Sequence, residues 1–190
     1  MIASFAGRLL VATPLLDDPN FARSVILVCS HNEDGAYGLV LNRPLGEPVT
    51  LYLPEWSARV GDPTVFFEGG PVQRHIVMGL GRDRALVNAG WWTRVTSEVG
   101  LIDLRYAPRN LVERDDLIDE ARLFLGGAGW GPSQLEAEVA QQAWFVVDAR
   151  TSDVFGAQPV MLWADVLRRQ RGRHADLALY ANYPADPRAN

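Results

Sequence analysis

The sequence predicts an α/β protein of the α+β type, with antiparallel strands leading and helical signals gathered toward the end. Three observations predict it. "SVILVCSH" (residues 24–31), the turn "NEDG" and "AYGLVLN" (36–42) read as a hairpin. "TVFFEG" and "HIVMGL", joined by "GGPVQR", repeat the theme in the middle of the chain. A capping-box pattern at Ser133–Glu136 and an apolar stripe beyond Pro159 then mark helices in the last third.

Taken in order, "GRLLVAT" (7–13) is a strand ended by Pro14 and the turn-like "DDPN". Residues 24–31 form a near-continuous apolar run of strand length, so they predict a strand buried on both faces. "RPLGEP" breaks the pattern after residue 42. "VGLIDL" (99–104) is another strand, and "GDPT" and "GRDR" are polar turns. A short helix is expected over residues 110–120, capped by Asn110 with Glu113 reaching back. "ARLFLG" (121–126) is a strand. Ser133 opens a helix that buries Leu135, Val139 and Ala143 at four-residue spacing. "AWFVVDA" follows as a strand, and residues 159–170 are a last helix with Val160, Trp163, Ala164 and Leu167 on one stripe. The tail "YPADPRAN" reads as loop.

The 190 residues fit one domain spanning 1–190, and 48% apolar content with 22% charge is ordinary for a folded chain. A net charge of −5 argues against a dominant basic face for nucleic acid, which is not an expected partner. Every basic residue is arginine. The single cysteine, Cys29, excludes an intrachain disulfide and a cysteine-cluster zinc site. The opening "MIASFAGRLLVATPLL" lacks a basic start and a cleavage box, and no apolar run reaches the ~20 residues of a membrane span. A cytoplasmic protein is expected, with no membrane partner.

The stretch "LGGAGWGPSQLE" (125–136) resembles a phosphate cradle, with glycines ahead of a helix. It lacks the Lys-Ser/Thr pair of a nucleoside-triphosphate loop, and Pro132 stands where a dinucleotide loop has its third glycine. Asp148 sits at a suitable distance for a ribose, but Glu136 in the first turn repels phosphate. A tight strand-to-helix turn, with glycines at positive φ, is the better reading. No cofactor is expected.

Cys29 and His31 are two apart on a strand, which would place them on one side as a thiolate–imidazole pair. Cys29 nevertheless follows "VILV" and reads as core. His31, His75 and His174 show no ligand spacing, so no metal site is expected. Asp17-Asp18 and Asp115-Asp116 read as solvated surface. The basic run "RRQRGRH" (168–174) reads as cations at a helix C-terminus, complementing its dipole.

Three stretches together carry a family resemblance. They are residues 7–49, "FFEGGPVQ" (66–73) and "LGGAGWGPSQLEAEVAQQAW" (125–144). They resemble the AlgH/YqgE family of bacterial proteins, in a layout most similar to its actinobacterial branch. The resemblance implies a bifurcated, mostly antiparallel sheet, part of it rolled into a small barrel, flanked by helices. It implies no catalytic residues; family members are sometimes described as transcriptional regulators. The chain departs from the family at Gly127, where an aromatic residue is expected, and after "GGPV", where a leucine-histidine pair is missing.

The function expected is a non-enzymatic cytosolic binding or regulatory protein with a protein or small-molecule partner. The alternatives are an enzyme with an unrecognised site or a DNA-binding regulator. The candidate binding residues are three loop or turn groups: Asn42, Arg43 and Pro44; Gly69, Gly70 and Pro71; Gly129, Trp130 and Gly131.

Overall fold

The hairpin expected over residues 24–42 forms as β2 (Val25–Asn32) and β3 (Gly35–Val40) in the computed structural model. That model describes residues 4–83, 87–108, 111, 117–170 and 176–177. β1 (Arg8–Ala12) pairs antiparallel with β2 on one side and with β10 (Trp144–Asp148) on the other. Strand alternation divides the apolar run between two cores. Leu9, Val11, Val25 and Leu27 face one, Leu10, Ala12, Ile26 and Val28 the other. Both faces are covered, the first by α4 (Leu162–Arg168) through Trp163 and Leu167, the second by α2 (Gln134–Ala140) through Leu135. That double covering is why the sequence needs no polar alternation there.

β9 (Ile118–Trp130) is the longest strand and joins the two parts of the sheet. It pairs along most of its length with β6 (Val72–Asp83). On its other side it pairs first with β5 (Val65–Glu68), in parallel at Phe124 and Leu125, and then with β3 at residues 128–130. The sheet therefore forks at Gly126 and Gly127. This is the bifurcated, curled, mostly antiparallel α+β architecture that the resemblance implies. Beyond β6 follow β8 (Val99–Asp103) and β7 (Trp92–Arg94), and β4 (Pro44–Pro48) lies outside β5.

Several short elements were not foreseen. "RPLGEP" is strand β4, whose terminal prolines suit an edge because they lack an N–H for a further ladder. A one-turn helix, α1 (Val49–Tyr52), follows it, and α3 (Thr151–Phe155) follows β10. The helix expected over 110–120, with its cap Asn110 and the pair Asp115-Asp116, falls mostly outside the described residues. Residues 118–120 are instead the start of β9. The last helix begins as a 3₁₀ turn, Pro159–Met161, before α4. At three residues per turn the apolar stripe slips, so Val160 is 66% exposed while Trp163, Ala164 and Leu167 are buried.

Arg122 of β9 is 1% exposed, and its guanidinium donates to the carbonyls of Val154, Asp62 and Gly156 while stacking on Phe67 at 4.5 Å. Burial lowers its pKa to about 10. This one side chain fastens β9 to the end of α3. Among the described residues, no helix is long and apolar enough to cross a membrane.

Candidate functional site

The fork in the sheet is built from backbone meeting backbone. Leaving β5, the chain crosses β9: the Gly69 N–H donates to the Leu125 carbonyl at 2.9 Å, and the Gly69 carbonyl accepts from the Val40 N–H at 2.9 Å. A Cβ at Gly69 would strike the Gly126 carbonyl, and one at Gly70 the Gly127 carbonyl. Gly70 (φ 146°) and Gly126 (φ 71°) also hold backbone that favours glycine. A Cβ at Gly127 would strike the Tyr37 ring.

These contacts correct the reading of "GGAGWG" as a strand-to-helix turn. The stretch runs as strand through Trp130, and Gly129 is not at positive φ. Three of its glycines serve other ends: Gly126 and Gly127 let the chain cross, while Gly129 is exposed and a Cβ there would meet only Val72, at 3.9 Å. Composition signals a turn because glycine is common in turns; here the fork explains it.

Immediately after the crossing, β6 bulges. Its pairing with β9 passes from Val72–Gly127 to Val77–Leu125, so residues 73–76 stand opposite Gly126 alone. Gln73 takes φ 52°, a strained value for a non-glycine residue. Val72, Gln73, Arg74 and His75 are exposed on this knuckle. Arg74 pairs with Glu68, whose other carboxylate oxygen lies 3.8 Å from Arg43. Arg43 in turn donates to the carbonyls of Pro19 and Ala22, at 3.2 and 3.3 Å.

Asn42 is a clasp. Its Oδ1 accepts the Val25 N–H and its Nδ2 donates to the Arg23 carbonyl, both at 2.9 Å, holding Arg23 at φ 55°. Pro44 lies in β4 opposite Phe67, and Pro71 is exposed beside the bulge. The crossing thus gathers Arg43, Gly69, Gly70, Pro71 and Gly129. Trp130 lies apart: it is buried in the core under α2, where its indole N–H donates to Glu138 at 2.9 Å. Trp144 donates to the same oxygen at 2.8 Å. The Gly131 N–H donates to Gln134 Oε1 at 3.0 Å.

That last bond also corrects the expected cap. Ser133 sits at φ 60° with no capping hydrogen bond, and Gln134 reaches back in its place. Cys29 and His31 do not share a face. β2 has an extra residue between Val28 and Ser30, and this bulge reverses the alternation. Cys29 enters the first core, where burial pushes its thiol up to about 12. His31 packs on the opposite face, its Nε2 3.2 Å from Glu136. In the basic run, Arg168 pairs with Asp165 and Arg169 with Asp153; residues 171–175, including His174, lie outside the described residues. Asp17 and Asp18 are exposed. Among the described residues, no three His, Cys, Asp or Glu side chains are gathered as a metal ion requires.

The sequence model of the AlgH-like family matches residues 9–175. The chain belongs to the AlgH-like family. Its relatives include a UPF0301 protein of Streptomyces coelicolor, 44% identical across all of this chain and 97% of that one. A UPF0301 protein of Thermobifida fusca is 41% identical over 98% of this chain and 96% of the relative. Among solved structures, the crystal structure of protein DIP2367 from Corynebacterium diphtheriae superposes with a TM-score of 0.83 at 34% identity, covering 93% of this chain and 92% of that one. The solution structure of AlgH from Pseudomonas aeruginosa gives a TM-score of 0.68 at 27% identity, covering 90% and 97%. The AlgH-like fold is thus shared over nearly the whole length of these chains.

Sequence reading missed Glu68, Gln73 and Arg74 at the crossing, and Glu138 under the tryptophans. The first three were legible in part: "EGGPVQRH" sets polar residues on both sides of a glycine-proline turn. Glu138 carried no signal, since a glutamate in a short surface helix is commonplace.

Proposed function

We propose that this AlgH-like chain is a non-enzymatic, cytoplasmic binding protein that regulates a partner protein. Its recognition surface is the glycine crossing with the β6 bulge above it. The observation that carries this reading is a strained non-glycine residue, Gln73, on an exposed, polar bulge set over two positive-φ glycines. Gly70, Gln73 and Gly126 all have positive φ, and the bulge they shape presents Gln73, Arg74 and His75 to solvent. Strained conformations persist where the surrounding structure fixes them, and they gather at ligand clamps and switches. Here the fixing is done by the Arg43–Glu68–Arg74 cluster and the backbone bonds of Gly69.

The test compares affinity capture by the wild-type chain with capture by an Arg74→Glu, His75→Glu double variant of equal melting temperature. Both changes are on exposed side chains outside the cores. A partner retained by the wild type and lost by the double variant is the expected result. Identical captured sets would overturn the reading.

A further inference from the structure

The open edge of β9 beside this crossing has a form that names a class of partner. On one side, residues 128–130 pair with β3, through Gly38, Tyr37 and Ala36. On the other side, pairing with β6 ends at Val72–Gly127, and no described strand continues along residues 128–130. Such an edge presents N–H and C=O groups in register for another chain. Its middle residue is Gly129, exposed and uncrowded. The close contacts that exclude side chains at Gly69, Gly70, Gly126 and Gly127 do not exist at Gly129, and its φ is not positive. Glycine inside a strand weakens it and marks a place where another backbone comes close. Among the described residues, no backbone fills that role at Gly129.

Charge orients the edge. At the Val72 end, Arg43, Arg74 and the exposed His75 are set against the single carboxylate of Glu68. The acidic turn at Glu33 and Asp34 lies on the β3 side of β9, away from this edge. Val72, 43% exposed, stands beside the cations.

We propose that residues 128–130 accept an extended segment of a partner polypeptide by strand addition, acidic where it meets Arg74 and His75. The proposal rests on the binding reading above and specifies its partner. At ~3.3 Å per residue, the open stretch of residues 128–130 pairs a segment of roughly three residues. Backbone hydrogen bonds supply affinity, and the alternate side chains supply selectivity. A β-branched side chain in the segment meets Val72.

A display library of random peptides about ten residues long, selected on the full chain, tests this. The enriched peptides should carry a β-branched residue beside an acidic one. Methylating alternate backbone nitrogens should abolish their binding. Gly129→Val, which sets a branched side chain where the incoming backbone passes, should weaken binding about tenfold or more at an unchanged melting temperature. Peptides that tolerate methylation, that bind Gly129→Val equally, or that enrich no better than on an unrelated domain would each sink the proposal. A cellular partner lost with Arg74→Glu, His75→Glu but kept with Gly129→Val would leave the binding surface standing and remove strand addition. A partner kept by both variants would remove the binding surface itself.

Discussion

The Phe5 N–H donates to Nδ1 of His31 at 2.9 Å, and the two rings stack with centroids 5.2 Å apart and planes within 1° of each other. Nδ1 is therefore an acceptor, so in the neutral ring the proton sits on Nε2, facing Glu136. The imidazole pins the segment before β1, with Ser4 Oγ adding a bond to the His31 carbonyl at 3.1 Å. His31→Ala removes a buried stack and orphans the Phe5 amide, and should cost about 2–3 kcal/mol. Amide exchange at Phe5 should accelerate well before the β2 amides do. Equal protection in wild type and variant would contradict the clasp.

Cys29 should be inert in the native protein. An unfolded thiol ionises near 9.0, whereas burial holds the folded one near about 12. The folded state keeps its proton longer, so the contribution to stability is whole below pH 9.0 and is lost as pH rises from there toward about 12. Denaturant midpoints should accordingly fall across that window in the wild type and fall less in Cys29→Ala. Native alkylation at neutral pH should be slow. Rapid labelling would show that the thiol is not where the structure places it.

The glycines of one short stretch should differ sharply in what they tolerate. Gly70→Ala meets the Gly127 carbonyl and a positive φ, so a loss of several kcal/mol is expected. Gly129→Ala meets nothing closer than Val72 at 3.9 Å and should change stability by less than about 0.5 kcal/mol. Denaturant melts of the two variants side by side decide it. Comparable losses would mean that Gly129 is packed like its neighbours.

Ser133 offers a sign test. As an ordinary N-cap it would lose about 1 kcal/mol on change to alanine, and a few tenths on change to glycine. In the structure its hydroxyl caps nothing and its φ is 60°. Ser133→Gly should thus be neutral or stabilise by up to about 1 kcal/mol, because glycine takes that φ without strain. A glycine variant less stable than wild type would restore the capping role.

Arg122→Met should be a damaging change, at about 2–3 kcal/mol, because it strips the donor from the buried carbonyl of Val154 and from the half-buried ones of Asp62 and Gly156. Arg122→Lys should recover little. One ammonium does not span three carbonyls set for a planar fork. Urea titration of both variants measures it, and a lysine variant near wild type would contradict the fork geometry.

What could be read from the sequence followed the strength of its periodic signals. The β2–β3 hairpin, β10, α2 and α4 were legible because each buries a continuous or evenly spaced apolar set. β4, β7 and α3 were not, since elements of three to five residues hold too little pattern to outweigh a proline or a polar neighbour. Site residues followed the same rule. "NRP" and "GGP" read as loop or turn groups, and the structure puts Asn42, Arg43 and residues 69–71 between strands but Pro44 inside β4; side-chain roles depend on register. A single extra residue in β2 sent His31 to the face opposite Cys29, and no local pattern announces such a bulge. The glycine run misled for a related reason: a crossing and a turn need the same residue for different neighbours.

The pairing of β1 with β10 sets an order on how the molecule comes together. Arg8 Nε bonds the Val147 carbonyl across 139 positions of sequence. Among the described strands β1 is made first, yet one of its two neighbours, β10, is made last. A nascent chain can close the local β2–β3 hairpin early, while the far edge of β1 stays bare until β10 arrives. Long-range closures of this kind slow folding and leave apolar strand edges open to stray pairing during synthesis. For this fold, the vulnerable interval is the time the ribosome takes to travel between those two strands.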